Sequence, residues 1–365
     1  MREIFLNLII KNPLELNKIS TMNLTIIILT TDNREKLLNR AIEYYKDFEA
    51  KIMIVDGGYK SKKFKKSTRI KYYKLPGVSF DNRLKFALQN SKSSYVINCQ
   101  DDDFTNLQLI KKGLRLLKKN KKISWVGGNQ IFFNEYFGLF IFKKVKNQFI
   151  DKDYLSENSI KRFAFFYKNQ PQLYASLFRR KKLIKSLDDY SKLNRNKKIF
   201  NSFELPFSLL MSFHGTYHHF DDIWQFRDGY LHPNSMNDHK KYISRLVNNV
   251  PKNVYKNSKD LKIIKKFLFQ KLKKKIPKNT FNKLINNLVD QRYEQDKKHD
   301  QYNTYNLLIK LFLKKNLKYI FNILKKLNYF LSFFYYLLIN MFSNDVKNLK
   351  NSNSWYKIKA NLNRN

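Results

Sequence analysis

Three consecutive aspartates, Asp101, Asp102 and Asp103, have the residue type and spacing that point most directly to chemistry. Adjacent carboxylates repel one another, so a fold keeps them together either on a solvated loop or around a cation. Mg²⁺ and Mn²⁺ prefer oxygen ligands and share their sites with substrate phosphates. A metal held there would neutralise charge on a departing diphosphate, which is Lewis-acid catalysis. The plain alternative is an acidic turn that caps a helix predicted to begin near Asn106.

Two further polar segments could bind a ligand. Asp56 is followed by Gly57 and Gly58, and residues 30–32 read Thr-Thr-Asp. The glycines permit a tight turn and a close approach of the backbone to a ligand. A carboxylate at that turn can accept hydrogen bonds from a nucleobase or a ribose, whereas an ordinary strand-ending turn is the alternative.

Each polar segment follows a stretch that is typical of a β-strand. Leu24–Leu29 is a continuous apolar run, as expected for a parallel strand covered on both faces. Further strands are predicted, with helical patterns between most of them, at residues 51–55, 69–75, 95–99 and 123–126. This alternation predicts an α/β fold with an open, mostly parallel, doubly wound sheet. Because ligands bind at the carboxyl ends of strands in such sheets, we expect the polar segments to share one crevice.

The glycines indicate how the chain is divided. All nine lie between Gly57 and Gly229, and the last third of the chain is dominated by Lys, Leu, Ile, Asn and Phe. We therefore predict an N-terminal extension over residues 1–22, an α/β domain over 23–235 and a basic helical region over 236–365.

The two ends of the chain carry weaker signals. The first residues lack a clean cleavage site, so no signal peptide is predicted, and Met22 rather than Met1 could be the true start. Tyr329–Phe342 is the most apolar segment of the helical region and is too short to span a bilayer. It is predicted to be a core or interface helix, with a membrane-surface helix as the alternative.

The composition permits several partners. Hydrophobic residues make up 43% of the chain, which is enough to bury a core. The formal net charge of +43 is compatible with nucleic acid, an anionic membrane or an anionic substrate. AT-rich coding, which favours Lys and Asn, accounts for the charge equally well, so it indicates no specific nucleic acid. Cys99 is the one cysteine, which excludes an intrachain disulfide and fits a reducing cytoplasm.

In their order and spacing, these motifs resemble the GT-A glycosyltransferases related to family 2, especially a bacterial subgroup with an Asp-Asp-Asp-Phe motif. Residues 30–34, Thr-Thr-Asp-Asn-Arg, stand where that family has its first nucleotide-binding loop. Residues 55–58 resemble its base-contacting turn, and residues 94–97 with 101–104 resemble its Asp-x-Asp strand and motif. The resemblance covers residues 23–130.

The resemblance implies a GT-A fold, a nucleoside diphosphate sugar as donor, Mg²⁺ or Mn²⁺ as cofactor, and a hydroxyl acceptor on a glycan or a lipid-linked carrier. It places the metal on Asp101 and Asp103. The implied contacts to the nucleotide sugar are Thr30, Asp32, Asp56, Arg83, Asp101 and Asp102. Residues 23–130 would then bind the donor, and residues 131–235 the acceptor.

An inverting reaction, which the resemblance also implies, needs a base within reach of the acceptor hydroxyl. Glu204 is our candidate, because it begins a helical segment and resembles the acidic residue that follows the acceptor region in relatives. Alternatively, Glu204 is a glutamate without a catalytic role at the start of a helix, where the helix dipole favours a negative charge. Asp188–Asp189 and Asp221–Asp222 are the rival bases.

The segment from His214 to His219 could suggest a transition-metal site, although surface or hydrogen-bonded histidines fit it better. Contact of His219 or His232 with the diphosphate or the acceptor is a further alternative. Trp224–Arg227 could stack on a sugar and pair with phosphate, or form a strand that returns to the core.

We therefore predict a cytoplasmic glycosyltransferase of bacterial polysaccharide biosynthesis, with peripheral association at the inner face of the membrane as a further hypothesis. One rival is a nucleotidyltransferase on a similar sheet, which would release pyrophosphate. The other is a nonenzymatic, basic protein that binds nucleic acid or membrane, and it leaves the acidic segments unexplained.

Overall fold

The computed structural model describes residues 23–60, 62–64, 67–136, 139–145, 155–169, 175–193 and 204–228, with short stretches at 265–270, 273, 277–290, 294 and 357–359. The predicted N-terminal extension, the segment Tyr329–Phe342, His232 and the domain boundary at residue 235 lie outside these residues. The described stretches of the basic region at 265–270, 278–290 and 357–359 are helical.

The described residues form one sheet of nine strands. They are β1 (Leu24–Thr30), β2 (Lys51–Asp56), β3 (Ile70–Lys74), β4 (Tyr95–Gln100), β5 (Asp103–Thr105), β6 (Ile123–Tyr136), β7 (Leu139–Val145), β8 (Leu177–Arg179) and β9 (Thr216–Asp228). The principal helices are α1 (Glu35–Tyr45), α2 (Phe80–Asn90), α3 (Leu107–Lys119), α4 (Ser159–Asn169), α5 (Arg180–Leu193) and α6 (Glu204–Met211).

The sheet has the order β3-β2-β1-β4-β8-β6-β9-β5, and β7 pairs with β6. The first four strands of this order are parallel, with crossover helices α1 and α2 and the β2–β3 loop between them. Strand β8 is antiparallel to both β4 and β6, whereas β6 and β9 are parallel. The predicted α/β fold with a doubly wound sheet is confirmed, and the second half of the chain makes the sheet mixed rather than uniformly parallel.

The helices cover both faces of the sheet because the buried strands are apolar on both sides. Every residue of β1 is buried, and its side chains alternate between two hydrophobic clusters. Ile26 and Ile28 belong to the cluster that contains buried residues of α1 and α3. Ile27 and Leu29 belong to the cluster that contains buried residues of α2, α5 and α6. A polar residue at the end of such a strand is therefore held in a fixed place by packing on both faces.

Strand pairing also determines where the acidic run lies. Strand β4 is in the middle of the sheet and leads through Asp101 and Asp102 into the short strand β5. Strand β5 pairs with the end of β9, so that Asp103 lies opposite Arg227. The acidic run thus joins the parallel half of the sheet to the β6–β9 half.

None of the helices in the part of the chain that the structure describes has the length and apolar character needed to cross a lipid bilayer.

Candidate functional site

The acidic run is largely buried. Asp101 and Asp103 are only 2% and 4% exposed, and Asp102 lies between them with partial exposure. The run does not cap the next helix, because the Asn106 side chain accepts hydrogen bonds from the backbone N–H groups of Gln108 and Leu109 at the start of α3. The interpretation of the three aspartates as a solvated capping turn is therefore wrong.

Asp101 is bound by residues from the end of β1. The Thr30 hydroxyl donates to its Oδ2 at 2.6 Å. The Arg34 guanidinium donates from Nε to both carboxylate oxygens at 2.9 Å, and from Nη2 to Oδ1 at 2.5 Å. Arg34 Nη2 also donates to Asp102 Oδ2 at 2.6 Å. One arginine, placed just before α1, thus joins two aspartates of the run to the loop that follows β1.

Burial and ion pairing have opposite effects on the pKa values of Arg34 and Asp101. Burial opposes the charge of Arg34, but the hydrogen bond and charge of Asp101, with the charge of Asp102, raise its pKa above the usual value. Burial also raises the pKa of Asp101, and Arg34 offsets this only in part. Arg34 therefore stabilises the ionised form of Asp101 against the effect of burial.

Asp103 faces β9 instead. Its Oδ2 accepts a hydrogen bond from Gln225 Nε2 at 2.8 Å, and its Oδ1 accepts one from the Asp228 backbone N–H at 3.2 Å. Arg227 Nε lies 3.4 Å from Oδ2 as an ion pair without hydrogen-bond geometry. Burial, followed by the charge of Asp102, raises the pKa of Asp103 well above its usual range, against the opposing charge of Arg227. A further cation at this carboxyl would therefore stabilise its ionised form.

A third arginine completes the ion pairs around the run. Arg40, on α1, donates from Nη2 to Asp228 Oδ2 at 2.9 Å and to the Asp102 carbonyl oxygen at 3.1 Å. Its guanidinium carbon lies 5.1 Å from the centre of the Phe104 ring, in cation–π geometry. Through these contacts, Arg40 ties α1 to both strands that meet at the acidic run.

Asp56, at the end of β2, is fully buried in a network of its own. Its Oδ1 accepts a hydrogen bond from the Gly58 backbone N–H at 2.8 Å, and Lys62 Nζ donates to both oxygens at 2.8 Å. The Tyr72 hydroxyl donates to Oδ2 at 2.7 Å. Burial and the hydrogen bond to Asp56 raise the pKa of Tyr72, so this phenol remains protonated and donates.

Asp32 connects the loops that follow β1 and β2. Its carboxylate accepts hydrogen bonds from the backbone N–H groups of Tyr59 and Lys60 at 2.9 and 3.0 Å. These bonds lower the pKa of Asp32. A Cβ atom at Gly58 would lie 2.7 Å from the Asp32 backbone nitrogen, so glycine is needed for the two loops to meet.

Arg83, on α2, reaches the same edge of the sheet. Its Nη1 donates to the Thr30 carbonyl oxygen and, at 3.4 Å, to the Val55 carbonyl oxygen. A Cβ atom at Gly57 would lie 2.7 Å from its guanidinium carbon. Burial lowers the pKa of Arg83, and the charges of Asp56 and Asp101 act against this. Arg83 therefore lies between the ends of β1 and β2, within electrostatic reach of both carboxylates.

The predicted base lies on α6, and its rivals lie on α5 and β9. Glu204 is the first residue of α6, and its side chain lies outside the described part of the structure. The rival aspartates have partners of their own: Asp188 with Lys85 at 3.1 Å, Asp189 with His214 at 2.9 Å, and Asp222 with Lys112 at 3.7 Å. No described contact joins these three ion pairs to the acidic run.

His219, on β9, forms hydrogen bonds with two other side chains. His219 Nε2 lies 3.0 Å from Asn129 Oδ1, and its Nδ1 lies 3.2 Å from the Tyr217 hydroxyl. Because an amide oxygen only accepts, Nε2 carries the proton and Nδ1 accepts from Tyr217. Among the residues that the structure describes, no three His, Cys, Asp or Glu side chains are grouped as a metal site.

His219 should make the folded protein sensitive to acid. Burial lowers its pKa from 6.5 to about 4, although the charge of Asp221 acts in the opposite direction. Since the folded-state pKa is below the unfolded value, the stabilisation is complete above pH 6.5 and is lost as the pH falls towards 4. His219→Gln should remove this loss, which amounts to about 3 kcal/mol at most. Urea unfolding at pH 7 and at pH 4.5 checks this, and equal losses in both proteins would contradict it.

Several residues of the site were not predicted from the sequence. They are Arg34, Arg40, Lys62, Tyr72 and Asp228. Arg34 ends the Thr-Thr-Asp-Asn-Arg segment, and its proximity in sequence to Thr30 was the one signal available. Arg40 and Asp228 join segments that are far apart in the sequence. Lys62 and Tyr72 are closer in sequence to their partner Asp56, but no local pattern distinguishes them from their neighbours.

No protein-family model matches the chain, and no curated protein sequence matches it either. Among solved structures, S. aureus TarS 1-349 aligns with 76% of this chain and 88% of its own, at 12% identity and a TM-score of 0.39. Its complex with UDP-GlcNAc aligns over the same shares at 13% identity and a TM-score of 0.37. The cytidylyltransferase IspD of Francisella tularensis aligns with 60% of this chain and 99% of its own, at 11% identity and a TM-score of 0.36.

Proposed function

We propose that this protein transfers a sugar from a nucleoside diphosphate sugar to a hydroxyl acceptor, with the help of a divalent cation. The observation that carries the proposal is the position of Asp56 and Asp101, with Thr30 between them, at the carboxyl ends of three adjacent parallel strands, β2, β1 and β4. Ligands of open α/β sheets bind at that edge. The resemblance of residues 30–34, 55–58 and 101–104 to family 2 motifs supports the same assignment.

The arrangement suits an extended ligand with a base at one end and phosphates at the other. Asp56 would accept hydrogen bonds from the base, and Asp101 would contact the ribose. Arg34 and Arg83 lie beside the middle of this path, because Arg34 contacts Asp101 and Arg83 contacts Thr30. Guanidinium groups bind phosphate oxygens in pairs, so both arginines are suited to a diphosphate.

The acidic run fits a divalent cation only if substrate phosphates complete the coordination. Mg²⁺ is commonly held by one or two carboxylates together with phosphates, which does not require three protein ligands. Each oxygen of Asp103 accepts one hydrogen bond and has lone-pair capacity for an ion, and Asp102 is partly exposed beside it. Asp101, also a predicted ligand, would first have to exchange Arg34 for the ion. A bound cation would stabilise the charge of the departing diphosphate.

The resemblance to family 2 glycosyltransferases supports the assignments for the acceptor. Glu204 would remove the proton from the acceptor hydroxyl in an inverting displacement at the anomeric carbon. A glycan or a lipid-linked carrier, as used in polysaccharide assembly at a membrane, is the proposed acceptor.

The test is to incubate the purified chain with UDP-, GDP- and CDP-sugars, with and without Mn²⁺, and to identify the nucleotide released. The expected product is a nucleoside diphosphate, formed only with the cation, and Asp101→Asn should reduce its release strongly. Partly exposed Asp81→Asn is the matched control, because it removes one acidic charge from the start of α2. Release of pyrophosphate would instead show a nucleotidyltransferase. RNA binding that weakens steeply with salt, without any nucleotide binding, would favour the nonenzymatic alternative.

A further inference from the structure

Asp56 has no acceptor capacity left for a ligand in this conformation. Two carboxylate oxygens offer about four lone-pair positions. Lys62 Nζ takes one position on each oxygen at 2.8 Å, the Gly58 N–H takes the second on Oδ1, and the Tyr72 hydroxyl takes the second on Oδ2. A nucleobase can therefore donate to Asp56 only if one of these three donors withdraws.

Lys62 is the donor that can withdraw. The Gly58 N–H belongs to the turn after β2, and Tyr72 lies within strand β3, which pairs with β2. Lys62 lies instead in the connection between β2 and β3, where neighbouring Lys60 and Lys63 are exposed. Its own side chain is turned inwards and is only 3% exposed. A flexible, strongly hydrated ammonium group leaves a carboxylate for water more readily than a strand residue moves.

We infer that Lys62 competes with the nucleobase for Asp56 and so determines which bases bind. The inference rests on the proposed function, since it takes Asp56 as the base-binding carboxylate. The ring N–H groups of uracil and guanine are donors, and they replace the ammonium on Asp56. Cytosine and adenine present a ring-nitrogen acceptor at the corresponding position, which gains nothing from a vacated carboxylate. Lys62 therefore lowers the affinity for uracil and guanine nucleotides by the fraction of molecules in which it occupies Asp56.

Lys62→Met tests this, because methionine keeps an apolar stem of similar length and removes the ammonium group. Calorimetric titration with UDP, GDP, CDP and ADP, at fixed Mn²⁺, compares the variant with the unmodified chain. We expect the dissociation constants for UDP and GDP to fall about five- to tenfold, since the competing state no longer reduces the apparent affinity. Those for CDP and ADP should stay the same or rise. Lys63→Met, which removes one exposed charge from the same connection, is the control and should reproduce neither change.

The outcomes separate this inference from the proposed function. If no nucleotide binds either protein, the proposed function fails, and the inference fails with it because Asp56 then binds no base. If nucleotides bind the unmodified chain but Lys62→Met changes UDP and CDP affinity alike, or weakens UDP binding, competition by Lys62 is wrong. If Lys62→Met folds poorly, Lys62→Arg is the second variant to test, because arginine keeps a charged donor at Asp56. It should retain the low affinity for UDP, and a gain equal to that of methionine would overturn the inference.

Discussion

Arg34→Gln is expected to destabilise the folded protein by about 3 to 5 kcal/mol at neutral pH, the usual cost of removing one partner from a buried ion pair. The Arg34 side chain is 12% exposed and that of Asp101 is 2% exposed, so water does not replace the lost guanidinium. Both Asp101 oxygens and one Asp102 oxygen lose a charged donor at once. Urea unfolding at pH 7.5 measures the effect, with exposed Lys36→Gln on α1 as the control for loss of one positive charge.

The loss of stability caused by Arg34→Gln should depend on pH and on whether Asp101 is also replaced. Burial already raises the pKa of Asp101, and without Arg34 this carboxyl takes up a proton more readily. The penalty of Arg34→Gln should therefore shrink as the pH falls from 7.5 to 5. Asp101→Asn in the same chain should recover part of the stability, because the unmatched charge is then absent. A double variant as unstable as the sum of the two single variants would show that the pair is not coupled.

A divalent cation should also rescue this variant selectively. With the guanidinium gone, Asp101 and Asp102 can accept Mn²⁺, so the ion should raise the melting temperature of Arg34→Gln more than that of the unmodified chain. A ligand that binds only the native state stabilises it by mass action. Equal shifts in both proteins would place the cation away from Arg34.

The fold and the general position of the site could be predicted from the sequence because both depend on local patterns. The apolar run Leu24–Leu29 indicates a strand that is buried on both faces, and the polar residues after it indicate where that strand ends. Parallel pairing of β1 with β2 and β4 then brings Thr30, Asp56 and Asp101 to one edge. The direction of each strand follows from the crossover connections, so no knowledge of side-chain contacts was needed.

The partners of these carboxylates could not be predicted, because most of them come from tertiary pairing and the others from the conformation of one loop. Asp103 accepts a hydrogen bond from Gln225, 122 positions later in the chain, and the contact exists only because β5 pairs with β9. Lys62 lies among several lysines of one loop, and nothing in that local pattern shows which of them turns inwards. The sequence therefore indicates which carboxylates are present at the edge, whereas the structure shows that arginines and one lysine neutralise them.

Asp103→Asn should abolish sugar transfer and stabilise the protein at the same time. On the proposed function, Asp103 is a metal ligand, and an amide binds Mn²⁺ far more weakly than a carboxylate does, so we expect a loss of activity of about a hundredfold or more. The gain in stability has a separate cause. Burial and the charge of Asp102 raise the pKa of Asp103, so ionising this carboxyl costs the folded state free energy.

The sign of the pH dependence distinguishes this cause from a general packing effect. A carboxyl whose folded-state pKa is above the unfolded value favours folding at low pH, and that stabilisation is lost as the pH rises from about 4 through neutrality. An asparagine does not titrate, so its advantage over Asp103 should be absent near pH 4 and should grow up to pH 8. Gln225 and the Asp228 N–H both donate to this side chain, so the amide loses one acceptor and starts slightly less stable at low pH. Parallel stability curves for the two proteins across this range would contradict the electrostatic origin of the difference.

The raised pKa of Asp103 also implies that Mn²⁺ binding to the unmodified chain strengthens with rising pH, because the cation has to displace the proton. Electron paramagnetic resonance of Mn²⁺ measures this binding.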